Sequence, residues 1–386
     1  MEIIKPGTFI DFMRLRRPMM FVSFTAIALS LLSLYVPGPR YGIDFAGGTE
    51  VQLVFGGDIA AGEIRQQLVD LGYDQPDVVS VEDSAREYIL RVKEVSALTD
   101  ADAGKLQAAL TAVVGEEGVE RFKVSPGGDK LSFTLSMDLP ANQVEALLRE
   151  TGTNVRSVEK FGTFDDHRYE AHLAGIGDEL IRQLAASLGE RGPETLLRVE
   201  WVGPKAGAQL RDAAIKSILY AVGFIMVYIA FRFDLRFAPG AILGLFHDVI
   251  ITLGIYVLLR REMNLTTVAA LLTVLGYSIN DTIVVYDRIR ENAGRFKDKS
   301  MTELINLSTS QVLSRTVVTS LTTLLAIVPF MIWGTPAIQD IVFALAVGIL
   351  VGTYSSVYVS APFTDWVDAR FFRKGAARPA AKKATA

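Results

Sequence analysis

The chain has 386 residues, half of them hydrophobic and only 21% charged, with a mean hydropathy of +0.31, too apolar for one soluble domain. It has no Cys, which excludes a disulfide framework, a thiolate metal site and a Cys nucleophile, and its three His leave little for a zinc site. A polytopic membrane protein with an attached soluble domain fits this composition.

Crossing about 30 Å of hydrocarbon takes about 20 apolar residues. Six stretches qualify: residues 19–36, 215–231, 238–259, 265–286, 313–333 and 341–363. The first, span 1, follows Arg14, Arg16 and Arg17 as a signal peptide would. It lacks a small-x-small cleavage site before Pro37 and five more spans follow, so it reads as an uncleaved anchor. Lys and Arg gather before span 1, between spans 2 and 3 (Arg232, Arg236), between spans 4 and 5 (Arg288 to Lys299), and after span 6. The positive-inside rule then puts both termini in the cytoplasm: residues 1–18 at one end and the basic tail 364–386 at the other. Arg260 and Arg261 fall on the opposite side and depart from the rule.

The long loop Pro37–Asp212 is therefore read as exterior. It carries 18 Lys/Arg against 30 Asp/Glu, a net of −12, whereas the remainder is +8. An acidic exterior domain on a basic-faced membrane core fits a bacterial inner membrane and gives no support to nucleic-acid binding.

The loop repeats itself with a period of about 80 residues, an estimate from residue alternation. Gly47–Phe55 (GGTEVQLVF) lies over Gly127–Ser136 (GGDKLSFTLS), each followed by an amphipathic helix (EIRQQLVDLG; QVEALLRETG). Each copy continues into a VxSVE segment (Val78–Glu82; Val155–Glu159) and an alternating strand (Tyr88–Val92; His167–Leu173). Helices at Asp100–Val114 and Ile176–Leu188 and strands ending near Val124 and Trp201 follow. Alternation and 3.6-residue periodicity predict β-α-β-β-α-β in each copy, two tandem ferredoxin-like repeats at 37–126 and 127–212. The predicted fold class is thus a six-span α-helical membrane protein with an α+β exterior region.

Four motifs stand out: GIDFAGGT (Gly42–Thr49), VGPKAG (Val202–Gly207), LFHDVIITLG (Leu245–Gly254) and the run Leu265–Asn292 through span 4. Together they closely resemble the SecF family of the bacterial Sec protein-translocation machinery. In the first motif the resemblance rests on Gly42, Asp44, Gly47, Gly48 and Thr49, and in span 4 it includes Asn280. The familiar SecF has one ferredoxin-like exterior domain, and this chain departs from it with two. The resemblance implies work alongside SecD, in association with the SecYEG channel and a translocating polypeptide. There the proton motive force would promote late steps of export, in a fold related to proton-driven RND exporters.

Asp281 lies 16 residues into span 4, about 24 Å below the outer edge at 1.5 Å per residue. An ionised carboxylate at such depth is costly unless paired, hydrated or protonated, so Asp281 reads either as a proton-handling group or as a structural one, held in a static ion pair or by a hydrogen bond to a neighbouring helix. Arg315, about 27 Å deep in span 5 by the same rise, is its expected partner. A neighbouring cation favours the ionised carboxylate, and separation favours proton uptake. The family resemblance points to both residues; the alternative for Arg315 is snorkelling to the cytoplasmic surface. Thr319 and Thr322 share its face and suit either a hydrated path or helix packing.

Asp248, near the middle of span 3, reads as a second relay group or as a structural tie. His247, about 100° away on the helix, is expected to face elsewhere and to be a packing residue. Ser278 and Asn280 flank Asp281 and could hydrogen-bond across helices. Gly348, Gly352, Ser356 and Ser360 form a small-residue stripe on span 6, with Gly240 and Gly244 a shorter one on span 3. These predict close helix contacts, within the chain or with SecD. GIDFAGGT is no phosphate loop, since no Lys-Ser/Thr follows and it precedes a strand. No Walker motif occurs elsewhere, so no ATPase activity and no cofactor are expected. The short links between spans 3 and 4 and between 5 and 6 count against a small-molecule exporter; a scaffold for SecD or the channel stays open.

Overall fold

The computed structural model describes residues 9–372, apart from 82, 83, 85, 116 and 163–165. Glu82 of the first VxSVE segment and the tail beyond residue 372 lie outside the described residues. The chain divides into a membrane unit, Met1–Tyr41 with Asp212–Ala386, and a second unit, Gly42–Arg211.

Among its described residues, the second unit holds two four-stranded antiparallel sheets. Its elements in chain order are β1 (Gly48–Phe55), α2 (Ala61–Asp70), β2 (Asp77–Ser80), β3 (Glu87–Val92), α3 (Asp100–Val114), β4 (Val119–Val124) and β5 (Lys130–Leu135). They continue with α4 (Ala141–Glu150), β6 (Val155–Lys160), β7 (Arg168–Leu173), α5 (Ile176–Leu188) and β8 (Pro193–Val202); α1 is span 1, Arg16–Tyr35. One sheet runs β2-β3-β1-β8 and the other β4-β5-β7-β6.

The tandem arrangement split at residues 126/127 does not hold. Strand β8, from the far end of the loop, pairs with β1 (Val51 opposite Val199), and Ile176, Leu180 and Leu184 of α5 pack in the core with Val51, Leu53 and Phe55. Strand β4 pairs with β5, and Leu106 and Leu110 of α3 pack against Leu131, Phe133 and Tyr169. Each β-α-β-β run thus completes its sheet with the helix and strand that follow the other run, so the second module is inserted within the first. The reason is local. Between β4 and β5 the segment Ser125–Asp129 closes a tight turn: Gly128, at φ 66°, donates to the Ser125 carbonyl and Ser125 N–H donates to Lys130 O at 2.8 Å. Strands joined so closely must be neighbours. Periodicity marks which residues are buried, not in which sheet.

Two glycines explain the first motif. Gly47 and Gly48 sit at φ 76° and 119°; a Cβ on Gly47 would come within 2.8 Å of the Pro204 Cα, and one on Gly48 within 2.5 Å of the Val92 carbonyl. The GIDFAGGT and VGPKAG segments therefore lie against each other. Gly42 caps the short helix Ile43–Ala46, which carries Asp44 in its first turn, and buried Thr49 donates to Glu94 O at 2.7 Å.

Among the described residues, six helices are long and apolar enough to cross a membrane. After α1 come α6 (Pro204–Arg232), α7 (Ala238–Leu258), α8 (Leu265–Arg295), α9 (Met301–Trp333) and α10 (Pro336–Ser355), which are spans 2 to 6. Several extend beyond the predicted stretches because hydropathy registers only the lipid-length segment. Local chemistry sets their ends: Asn264 and Ser300 make capping boxes with Thr267 and Glu303 at the starts of α8 and α9. Helices α7 and α8 carry most of the buried residues, while Phe21, Phe24, Phe224, Leu325 and Phe330 on the other spans point outward as lipid-facing residues would. Beyond α10 the chain winds into a π-helical turn, Ser356–Ser360, before resuming as a helix. The exceptional cations near α7 are held: Arg261 pairs with Asp340 and lies 4.4 Å over the Phe343 ring, and Arg260 donates to Gly38 O at 3.3 Å.

Candidate functional site

Two buried carboxylates lie in the heart of the membrane unit. Asp281 of α8 is 2% exposed. Its Oδ2 accepts a hydrogen bond from Thr353 of α10 at 3.3 Å, and Thr353 shares a 2.7 Å contact with Ser320 of α9. Arg315 forms no ion pair with Asp281 within 4 Å among the described residues, although its charge acts on that carboxylate through space. It lines a polar cleft of about 510 Å³ with Asn280, Asp287, Arg288, Glu291 and Gln311. The expected direct Asp281–Arg315 contact is thus not made. Similar depth does not fix azimuth, and the Arg315 side chain turns outward into the cleft instead.

Asp248 of α7 is fully buried and its Oδ2 accepts from Ser278 of α8 and, at 2.7 Å, from Ser355 of α10. Its Oδ1 lies 2.8 Å from His247 Nδ1. The expectation that His247 and Asp248 face apart is overturned: neighbouring side chains can fold toward each other, and the imidazole is 1% exposed. His247 Nε2 lies 3.2 Å from Ser23 Oγ of α1, and the ring stacks on Tyr354 at 6.0 Å between centroids. Ser278 precedes Asp281 by one helical turn, so the two carboxylate networks adjoin along α8. Thr353, Ser355, Ser320, Tyr354 and Ser23 were not singled out from sequence. Their signal is weak, being single hydroxyls in apolar runs.

The small-residue stripe faces inward. A Cβ on Gly348 would sit 2.2 Å from Val274, and one on Gly352 3.0 Å from Ser278, both on α8. Gly244 meets Ser360 Oγ, and Gly240 meets Thr364, Tyr286 and Ser360, joining α7 to the end of span 6. Gly254 of α7 meets Ser30 of α1. Ser356 is fully buried as well. The close contacts that small residues permit are made within this chain, and they bring Asp248, Ser278 and Ser355 together. Thr319 and Thr322 bond to carbonyls one turn back on their own helix. No group of three or more His, Cys, Asp or Glu that could hold a metal occurs among the described residues.

Polar side chains from five spans around buried carboxylates, in a chain that also carries a double-glycine turn at the start of its first strand, define a multi-pass membrane protein of the SecD/SecF type. Residues 184–370 match the family model described as protein export membrane protein SecD/SecF, C-terminal, and residues 32–58 match the SecD/SecF GG motif. The chain is 35% identical to the protein translocase subunit SecF of Magnetococcus marinus over 380 residues, 98% of this chain and 99% of the relative. It is 32% identical to SecF of Pseudomonas aeruginosa over 95% of this chain and 93% of that one. The crystal structure of SecDF, a translocon-associated membrane protein from Thermus thermophilus, superposes with a TM-score of 0.67 at 31% identity, covering 94% of this chain and 39% of SecDF. The chain belongs to the SecF family of protein translocase subunits, and its role is in protein export. The match to the Magnetococcus relative is nearly end to end, so the inserted second sheet falls within the aligned length.

Proposed function

We propose that the chain, paired with a SecD-type partner and the SecYEG channel, uses the proton motive force to promote the late steps of polypeptide translocation across the bacterial inner membrane. Both termini are then cytoplasmic and the 37–212 loop periplasmic, in keeping with the Lys/Arg distribution. The observation that carries this reading is Asp281: a carboxylate 2% exposed among the spans, with one hydroxyl donor and a cation held off in a polar cleft. A structural ion pair would be closed. An open one suits a group that exchanges protons as Arg315 approaches and withdraws. Each proton crossing the membrane potential would release about 2.3 kcal/mol per 100 mV.

The cleft also supports a membrane partner. Asn280 and Arg315 are exposed on α8 and α9 within the predicted spans, and such groups at membrane depth face protein or water rather than lipid. A SecD-type partner covering that face would complete the site, in keeping with relatives in which SecD and SecF form one chain.

The test is export in cells depleted of the native protein and complemented with Asp281→Asn or Arg315→Met, measured with the membrane potential intact and collapsed. Loss of only the potential-dependent part, with normal assembly, supports the relay. Export at the wild-type level makes the charges structural and the chain a scaffold.

A further inference from the structure

The inserted module and its host are joined by two short crossings. Ala97 packs against the host core and Leu98 against the inserted one; on the return, Leu173 belongs to the inserted core and Ile176 to the host. Both crossings line the same cleft, of about 730 Å³. No helix or strand of one module packs broadly on one of the other among the described residues. Smaller ties hold the boundary. Arg156 of β6 pairs with Asp178 of α5, and Gly127 lies so near Trp201 that a Cβ there would come within 2.7 Å of the indole. Two crossings side by side, between bodies that share little packing, are the construction of a hinge.

The cleft falls within the size of ligand sites, about 300–1,000 Å³. Two of its carboxylates already have their cations: Lys105 Nζ donates to Asp102 at 2.7 Å, and Arg182 Nε donates to Glu179 at 2.9 Å. Glu94, on the first crossing, pairs with no cation among the described residues, and its Oε2 is buried without a hydrogen-bond partner. A carboxylate placed so is costly until a donor reaches it. Beside it, the backbone N–H and C=O groups of Ser96 and Ala97 make no backbone hydrogen bond among the described residues. From the inserted module the exposed Asn154 lines the same cleft, and its side-chain amide has no partner among the described residues. Such an amide donates and accepts at once, as a peptide group requires. Free backbone groups on an extended segment do the same for a strand laid beside them.

We propose that this cleft binds an extended polypeptide segment through its backbone and one Lys or Arg side chain, the cation meeting Glu94, and that the modules close on it about the two crossings. A free amine satisfies Glu94 alone, whereas a basic peptide satisfies the carboxylate, the Asn154 amide and the Ser96–Ala97 backbone together. The excess of acidic residues in the exterior loop favours the approach of a basic segment over an acidic one. That the bound segment belongs to a chain under export rests on the proposed function; the binding itself does not.

The test uses the full-length protein in detergent micelles, where no membrane potential exists, so its outcome is separate from export by the Asp281 and Arg315 variants. The probe is a short fluorescent Gly/Ser peptide, blocked at both ends, with one central Lys. A second peptide carries norleucine there, and spermine supplies amines without a backbone. Fluorescence anisotropy should show the Lys peptide bound at least about tenfold more tightly than the norleucine peptide, as a charge-assisted hydrogen bond provides. Glu94→Gln should erase that preference, and Asn154→Ala should weaken both peptides alike, with circular dichroism confirming that each variant is folded. Asn154 is exposed, so its variant keeps the test decisive even where Glu94→Gln does not fold. Spin labels on α2 and α4 should change separation when the Lys peptide binds. A folded Glu94→Gln chain that still prefers the Lys peptide overturns the assignment, as does a wild-type chain that binds neither peptide. Spermine that displaces the peptide and moves the labels equally well overturns the polypeptide as occupant. A label separation that stays fixed on binding overturns the closure.

Discussion

Substituting Gly348 with Ala tests whether the span 6 stripe is an internal seam. The added methyl would lie 2.2 and 2.5 Å from the two Val274 methyl carbons and 2.9 Å from its Cβ, where ordinary contact is 3.5–4 Å. Val274 is fully buried and β-branched, so it has few rotamers with which to yield. Helices α10 and α8 would have to part by roughly 1 Å, a strain of about 1–3 kcal/mol on the scale of overpacked cores. Val274→Ala alone should cost about 1–3 kcal/mol, chiefly through the cavity it leaves. Together the two should partly cancel, because the new methyl occupies the vacated space, giving a coupling of about 1–2 kcal/mol. The assay is reversible unfolding of the isolated chain in mixed detergent micelles, measured for the wild type, both single variants and the double. Costs that add within about 0.5 kcal/mol would refute the packing argument. So would a Gly348→Ala chain of unchanged stability that fails only when a partner subunit is present, since that would place the stripe at an intermolecular interface.

Three further outcomes follow from the same geometry. Thr353→Val removes the hydroxyl donor of Asp281 while preserving shape, and it should lower potential-dependent export several-fold with less effect than Asp281→Asn; an export assay that ranks them in the opposite order counts against the carboxylate as the central group. A soluble fragment joining residues 42–97 to 176–211 through a flexible linker should give cooperative unfolding by circular dichroism, whereas residues 42–126 should not fold, because the first sheet lacks its edge strand there. Burial, with Glu179 and Glu94 nearby, pushes the Tyr73 phenol up to about 12. The folded state therefore holds this proton more tightly than the unfolded chain, and the stabilisation is complete below pH 10 and is lost as pH rises toward 12. Tyr73→Phe should flatten that part of the alkaline unfolding curve.

The six spans were legible because lipid imposes a composition that a window of about 20 residues detects without knowing any contact. The strands and helices of the second unit were legible for a similar reason: alternation and 3.6-residue periodicity are properties of one element against one apolar layer. The sheet to which each element belongs is a property of pairs. Here β8 and α5 join β1 across more than a hundred residues, and only the short Ser125–Asp129 turn hinted at the exchange. Asp281, Arg315 and Asp248 could be found as charges in apolar runs, since the cost of burying a charge marks it wherever its partners lie. Their partners could not. Whether Asp281 meets Arg315 or Thr353, and whether His247 turns toward Asp248, depends on helix azimuths and side-chain rotamers. Those are decided by the contacts of Gly348, Gly352 and Gly254 with neighbouring helices, where the absence of a side chain lets two backbones approach. Sequence therefore determines what must be hidden from water or lipid, and tertiary packing decides which hidden group answers which.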